Sequence, residues 1–461
     1  MANPNATPAS PLEEQPTIGL IGMGEMGKMY ARHLSAAGWK KIHVCDLPQK
    51  YEALKHELAE MPGIVVLRDG HLVSRSSDFI IYSVEAEYID KVVKEYGPST
   101  KLGAIVAGQT SVKAPERAAF ESYLPEDVHI VSCHSLHGPT VPPLGQPLVL
   151  IHHRGPDWAL TLVENILRPL RSRFVYMSFE EHDSVTANTQ AVTHAAFLSM
   201  GTAWRNCGSY PWEQPEGRYV GGIETVKVNI MHRIYANKWH IYAGLAILNP
   251  SAKVQIEQYA KSATELFKLM LETKEAELRG RVYRARDTVF RDAPRTRPIL
   301  LSENLLDRFS LGTSRENLHD VPQEDHREQT ARLPPNANSH LSLLAMVDCW
   351  ATLSINPFAD LEVAATPIFR MWIGVAEYLF RSRERLDAAL DAALWDTTHR
   401  SDDLEFIVAA RGWSQCVSFG NFDLYRRRFE KTASFFKPRF AQAQTLASKM
   451  ITAILEEGNS S

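Results

Sequence analysis

Three glycines, Gly22, Gly24 and Gly27, fall at G-x-G-x-x-G spacing within the run Thr17-Ile-Gly-Leu-Ile-Gly-Met-Gly-Glu-Met-Gly-Lys28. An apolar stretch (Ile18, Leu20, Ile21) precedes them and a helix-like segment, Met26 to Ala37, follows. In that setting the first glycine permits a tight strand-to-helix turn. The second lets backbone approach a pyrophosphate, and the third lets helix and strand pack closely. The helix start adds unpaired N–H groups and a positive dipole end. The pattern predicts dinucleotide binding, with Gly22, Met23, Gly24, Glu25, Met26 and Gly27 as the phosphate loop. Asp46 ends the next apolar run, about 20 residues on, where an acid ordinarily takes the ribose hydroxyls and favours NAD over NADP. Lys50, Arg32, Lys40 and Lys41 lie nearby in sequence and could balance a 2′-phosphate, so the residues alone leave the phosphorylation state open. Ser83 and Val84, at the end of a further strand, are expected against the same ligand. Glu85 reads equally well as an acid at a helix start.

Two more strand ends carry polar clusters. Ala104–Gly108 runs into Gln109-Thr110-Ser111-Val112-Lys113, and His129–Ser132 runs into Cys133-His134-Ser135-Leu136-His137-Gly138-Pro139. Ser111 by itself reads as a helix N-cap, and His134 by itself as a satisfied or surface histidine. Together, at adjacent strand ends of a dinucleotide-binding sheet, they suit oxidation of an alcohol. A neutral imidazole can take the hydroxyl proton as hydride departs. A Ser-His hydrolase lacks its G-x-S-x-G elbow here, and no carboxylate or cysteine set completes a metal site with His134 and His137. Further along, Glu181-His182-Asp183, Thr186, Gln190 and His194 step by about four residues and share a helix face, which would serve a polar cleft or a solvated surface equally well. Tyr219–Lys227 and Arg233–Trp239 add cations and aromatics. Arginine grips a carboxylate in a bidentate way, which makes Arg233 and Lys227 candidates for an acidic substrate.

The elements that must position these groups divide the chain in two. Strands are expected at Ile18–Ile21, Lys41–Asp46, Val65–Leu67, Phe79–Ser83, Ala104–Gly108, His129–Ser132, Val149–Ile151 and Phe174–Met177, with helices between them. This is an α/β, Rossmann-type, doubly wound parallel sheet over residues 17–177. After a boundary near Ser178, long helices (Glu180–Arg205, Val226–Leu248, Ser251–Arg286, His340–Phe380, Ser401–Met450) make an all-α second domain to residue 461. A polar connector near 291–338 interrupts it. Residues 1–16 read as a flexible tail. The 461 residues carry a net charge of −4 and are 44% hydrophobic and 23% charged. That gives no support for nucleic-acid binding and places any anion in a local cluster of cations. Five scattered cysteines fit a reducing compartment. With no signal-like or spanning apolar run, cytoplasm is the expected location.

These segments resemble the prephenate dehydrogenases, in particular the fungal NADP-dependent form. The likeness rests on G-L-I-G-M-G-E-M-G, D-G-H-L-V-S-R-S-S-D-F-I-I-Y-S-V-E, A-G-Q-T-S-V-K, H-S-L-H-G-P, E-E-H-D, Q-A-V-T-H-A-A-F-L-S-M-G and N-K-W-H-I-Y-A-G-L-A-I. It continues through N-S-H-L-S-L-L-A, D-D-L-E-F and S-F-G-N-F-D, and so spans nearly the whole chain. The resemblance implies oxidative decarboxylation of prephenate to 4-hydroxyphenylpyruvate with reduction of NADP, in tyrosine biosynthesis. The alternatives are an arogenate dehydrogenase or a non-catalytic dinucleotide sensor. It implies that His134 polarises the 4-hydroxyl and that Ser111 helps position hydroxyl and nicotinamide. His194, Arg233 (with Lys227 in reserve) and Gln190 would contact substrate, and His182 matches the histidine of the family's E-H-D segment. Ser135 stands where the family has proline, and Ala191 where it has an inner histidine. The resemblance also implies no metal, and a homodimer paired through the helical domain. NADP is its cofactor, against the reading of Asp46 taken alone.

Overall fold

The computed structural model describes residues 3–139, 141–208, 222–290, 300–301, 306, 338–364, 366–397, 399–441 and 443. The expected polar connector lies almost wholly outside these residues, as do Tyr219, Val220 and Gly221. The described chain forms two compact units: Met1–Thr186 with Leu248–Pro250, and Ala187–Ile247 with Ser251–Ser461.

The first unit is built on an eight-stranded sheet in the order β3-β2-β1-β4-β5-β6-β7-β8. Its strands are β1 (Ile18–Ile21), β2 (Ile42–Cys45), β3 (Ile64–Val66), β4 (Phe79–Tyr82), β5 (Ile105–Gly108), β6 (His129–Ser135), β7 (Pro147–Arg154) and β8 (Arg173–Tyr176). β1, β4 and β5 are buried along their whole length, as continuous apolar runs covered on both faces should be. The sheet departs from the expected all-parallel form at one junction. β6 and β7 pair antiparallel, and every other neighbouring pair is parallel. β5 pairs with β6 only through Ile105↔His129 and Val106↔Ile130, whereas β7 carries the ladder on through His134↔Val149 and Ser135↔Leu148. Hence His134 sits inside a strand and not in the loop beyond it.

Residues 3–16 are not the expected loose tail. Ala6 is fully buried in the sheet unit's core. Gln15 is 2% exposed, donates to the Pro8 and Ser10 carbonyls, and its own carbonyl accepts from Lys41 Nζ at 2.7 Å. The polar composition there serves internal turns.

The boundary falls after Thr186, later than Ser178, because α7 (Phe179–Thr186) is bonded into the sheet unit. Asp183 accepts from the backbone at the start of α5 (Ala114–Tyr123), and Asn249 donates to the Asp183 carbonyl at 2.8 Å. In the helical unit the expected long helices are broken. A π-helical turn, Ala187–Ala191, leads into α8 (Val192–Cys207). α9 (Ile223–Tyr235) and α10 (His240–Leu248) replace one continuous helix. Pro250–Leu271 and Glu275–Val289 are separated at Thr273, whose φ is 49°. Apolar periodicity runs through such breaks because neighbouring helices continue the same buried stripe.

Candidate active site

The three glycines of the first motif divide their roles as their spacing predicts. Gly22 has φ +100°, and a Cβ there would stand 2.3 Å from the Ser83 carbonyl oxygen. A Cβ on Gly27 would stand 2.2 Å from the Gly22 carbonyl oxygen. Gly24 is different: a Cβ there meets nothing within 4 Å. It precedes α1 (Glu25–Ala37), whose N-terminus no side chain caps. Open space over uncapped N–H groups at a positive dipole end is a cradle that fits a pyrophosphate. Ser83 and Val84 lie against this turn, within 3.3 Å of the positions the missing Cβ atoms of Gly22 and Gly27 would take. Met23 contributes backbone only, because its side chain is 3% exposed and packs in the core. Glu25 is exposed and Met26 partly buried.

Asp46 does not extend toward where a ribose would lie. Its carboxylate accepts from Met23 N at 3.2 Å and Leu47 N at 2.7 Å, and Lys50 Nζ reaches both oxygens at 3.2 and 3.3 Å.

The ends of β5 and β6 hold the reacting groups. His134 is 7% exposed. Its Nδ1 lies 2.8 Å from His182 Nε2, and His182 Nδ1 lies 2.9 Å from Asp183 Oδ1. Asp183 also accepts from Lys113 N and Ala114 N, both at 2.7 Å. One arrangement of protons satisfies this chain. The carboxylate can only accept, so His182 carries its proton on Nδ1 and offers a bare Nε2. His134 must then donate from Nδ1, which leaves its own Nε2 unprotonated. Among the described residues that nitrogen has no hydrogen-bond partner. Burial, together with His182, Lys113 and His137, pushes the His134 imidazole well below its ordinary range. His182 is lowered in the same way, by burial first and then by Lys113. Burial raises Asp183, opposed by the two backbone N–H bonds and by Lys113. The site therefore presents a neutral base at neutral pH.

Beneath it, Lys113 and Glu116 form a fully buried ion pair, Nζ to Oε1 2.8 Å. Lys113 Nζ also donates to the carbonyls of Gly108 (3.1 Å) and Cys133 (2.9 Å) and to Ser132 Oγ (3.1 Å). Glu116 accepts from Ser132 and from Thr110. These bonds tie the β5–α5 loop, which carries Ser111, to the strand that carries His134. Ser111 itself is half-buried and is not the N-cap. Lys113 holds that position, and Asp183 supplies the acceptors from another helix. Ser135, in place of the family's proline, is 2.7 Å from Tyr30 Oη. Gln109 lies close enough to influence that phenol, yet its buried Nε2 and Oε1 have no hydrogen-bond partner.

The remaining expected residues belong to the helical unit. His194 stacks edge-on against Tyr242, with centroids 4.8 Å apart. Its buried Nδ1 has no partner, and burial lowers its pKa to about 3. Tyr242 Oη accepts from Asn237 at 3.0 Å. Arg233 lies near enough to Tyr242 for their charges to interact. It is half-buried and has no carboxylate partner among the described residues. Lys227 is 3% exposed and already paired, 2.8 Å from Glu224. Burial would raise Glu224, but Lys227 and His340 outweigh it and hold it far below the usual range. Gln190 is half-buried in the π-helical turn, a feature often found at functional sites. Of all these contacts, the relay through His182 and Asp183 had a sequence signal, the E-H-D run. The Lys113–Glu116 pair was legible only as two charges one helical turn apart.

A family of 6-phosphogluconate dehydrogenase C-terminal domains matches residues 191–456, and the coenzyme F420-dependent NADP oxidoreductase family matches residues 17–107. The chain is 48% identical to the probable prephenate dehydrogenase [NADP(+)] of Schizosaccharomyces pombe over 447 residues, covering 96% of this chain and 99% of the relative. It is 48% identical to the prephenate dehydrogenase [NADP(+)] of Saccharomyces cerevisiae over 444 residues, covering 96% and 94%. Among solved structures, the prephenate dehydrogenase of Aquifex aeolicus aligns at 20% identity with a TM-score of 0.46, covering 57% of this chain and 94% of that one.

Proposed function

The chain belongs to the NADP(+)-dependent prephenate dehydrogenase family, and from that premise we propose that it oxidises and decarboxylates prephenate to 4-hydroxyphenylpyruvate, in tyrosine biosynthesis. The observation that carries this reading is the Asp183–His182–His134 chain ending in an unprotonated, unpartnered Nε2. NADP(+), when bound, supplies the hydride acceptor. The open cradle at Gly24 and the uncapped start of α1 would hold its pyrophosphate, flanked by Ser83 and Val84.

His134 Nε2 takes the proton of the 4-hydroxyl as hydride leaves C4. The imidazolium so formed is disfavoured by burial and by the neighbouring positive charge of Lys113, so the base is poised to give its proton back. Loss of CO2 from C1 aromatises the ring, and the phenolic oxygen receives the proton from His134. No net proton is left over. Decarboxylation needs no dedicated acid, because aromatisation drives it. Ser111 assists in positioning the hydroxyl. Arg233 is the residue we assign to a substrate carboxylate, because Lys227 is already paired with Glu224; His194 and Gln190 are the further substrate contacts.

The test is direct. Purified protein is mixed with prephenate or arogenate and with NADP(+) or NAD(+), and reduced nucleotide is followed by absorbance. Turnover with prephenate and NADP(+) is expected. Turnover with arogenate alone would reassign the substrate, and turnover with neither acid would leave a nucleotide-binding protein without this activity. We further propose a homodimer formed through the helical unit, which sedimentation analysis tests, and a cytoplasmic location, which fluorescence imaging tests.

A further inference from the structure

The acid at the end of β2 is ordinarily the mark of NAD, since it takes the ribose hydroxyls and repels a 2′-phosphate. Here that carboxylate is already engaged. Met23 N, Leu47 N and Lys50 Nζ surround it, and its side chain is 11% exposed. It acts as a brace between the phosphate loop and the end of β2.

Of the cations near it in sequence, most are placed elsewhere. Lys28 and Arg32 face Glu57, at 2.7 and 3.8 Å. Lys41 donates to the Gln15 carbonyl, and Lys40 stands beside it at the opposite end of β2. Lys50 remains at the carboxyl edge, 56% exposed, with donors beyond those it spends on Asp46. A second cation joins it from the neighbouring strand. β3 pairs in register with β2, Val44↔Val66, and Leu67 N bonds the Val44 carbonyl at 2.8 Å, so Arg68 emerges beside Asp46. The Arg68 guanidinium lies 5.2 Å from the centre of the Tyr51 ring, and Tyr51 follows Lys50 directly. Arg68 has no carboxylate partner among the described residues. Its neighbour Asp69 is committed to capping the helix Gly70–Ser76, accepting from Leu72 N at 2.9 Å.

We infer that Lys50 and Arg68 form the subsite for the 2′-phosphate of NADP(+), with Tyr51 holding the guanidinium and Asp46 withdrawn as an internal brace. The inference rests on the dinucleotide reading above. It says which residues make the choice between NADP(+) and NAD(+). Arginine provides a fork matched to phosphate oxygens, and lysine a point charge beside it.

The test measures binding by quenching of tryptophan fluorescence, with NADP(+), NAD(+), adenosine 2′,5′-bisphosphate and 5′-AMP as probes and no substrate present. Arg68→Ala and Lys50→Ala should each raise Kd for NADP(+) and for the 2′,5′-bisphosphate about tenfold or more, and leave Kd for NAD(+) and 5′-AMP within about twofold. Arg68→Glu should reverse the preference. An equal loss for both dinucleotides would mean that Arg68 serves the adenine or the loop, and would overturn the inference. So would unchanged NADP(+) binding in both alanine variants. If the unaltered protein bound neither dinucleotide, the functional reading would fall and take this inference with it.

Discussion

Replacing Asp183 by asparagine alters one atom of the side chain and should disable the base two residues away along the relay. The carboxylate accepts three N–H bonds, from Lys113 N and Ala114 N at 2.7 Å each and from His182 Nδ1 at 2.9 Å. An amide cannot do so. If its oxygen stays toward Lys113 and His182, its NH2 opposes the Ala114 N–H. If it flips, its NH2 opposes Lys113 N–H and donates to His182 Nδ1. That second orientation moves the His182 proton to Nε2, makes His134 Nδ1 an acceptor, and leaves the proton on His134 Nε2, where no base remains. In either case a buried donor is left unpaired, at a cost of about 1–3 kcal/mol in stability. For the chemistry, the lost charge-assisted bond, about 1.5–3 kcal/mol, corresponds to roughly 10- to 150-fold in rate through its hold on the transient imidazolium. The wrong tautomer extends this toward the 10²- to 10⁴-fold usual for general base catalysis. Steady-state kinetics at a temperature well below unfolding should therefore show kcat down by about 10²-fold or more, with the KM for NADP(+) nearly unchanged. The unaltered enzyme should hold its kcat/KM across neutral pH and lose it only as pH falls through the lowered pKa of His134. His182→Phe separates the two functions of Asp183, because it leaves the cap on α5 in place while cutting the relay. If both folded variants kept kcat within about threefold of the parent, the idea that this chain sets the state of His134 would be refuted.

Gly24→Ala should leave the melting temperature unchanged, since its Cβ meets nothing within 4 Å, yet weaken NADP(+) binding about tenfold or more by filling the pyrophosphate cradle. Gly27→Ala, whose Cβ would stand 2.2 Å from the Gly22 carbonyl oxygen, should instead fail to give stable protein; the opposite ranking in thermal melts would overturn both assignments. Lys113→Met leaves the Glu116 carboxylate buried without its cation and should cost about 3–5 kcal/mol in urea unfolding. Adding Glu116→Gln should recover most of that loss, and a cost below about 1 kcal/mol in the single variant would show that the pair does not bear on stability. His194 is held neutral by burial, with a pKa of about 3, while the unfolded chain protonates near pH 6.5. Its contribution is complete above that pH and is lost as pH falls toward 3, by about 2 kcal/mol at pH 5. The difference in unfolding free energy between the parent and His194→Phe should shift by that amount between pH 8 and pH 5; a pH-independent difference would contradict it.

How far the sequence could be read depended on where the information sits. The first five strands are local, apolar and bounded by turns, and their expected and observed ranges differ by a residue or two. The glycine loop is equally local, and each of its three steric roles appears in the backbone. His134 was placed at the right sheet edge but in the wrong element, because the length of β6 is set by its antiparallel partner β7 and not by its own residues. The residues expected to be a loose tail pack through Ala6 and Gln15, a long-range result that composition does not encode. The helical unit was legible as helical and not as its segments. An apolar stripe passes through the π-helical turn Ala187–Ala191 and the reversal at Thr273 without changing period. Asp46 is the clearest case of a correct motif with an incomplete meaning. Its position matched the pattern for a ribose acceptor, but what the acid does depends on Met23 N and Lys50, which only folding brings to it.

One carboxylate thus links two parts of the proposed reaction centre. Asp183 accepts the first free N–H groups of α5, fixing the end of the loop that carries Ser111, and through His182 it fixes the proton on His134. The Lys113–Glu116 pair ties the same loop to β6 from below. Loop position and base tautomer are therefore not independent variables. Substitutions at Asp183 and Lys113 act on one bonded unit and should be strongly non-additive. A double variant, Asp183→Asn with Lys113→Met, is expected to lose little more turnover than Asp183→Asn alone. Additive losses in log kcat would mean that loop and base are held separately, and that the shared carboxylate is incidental to catalysis.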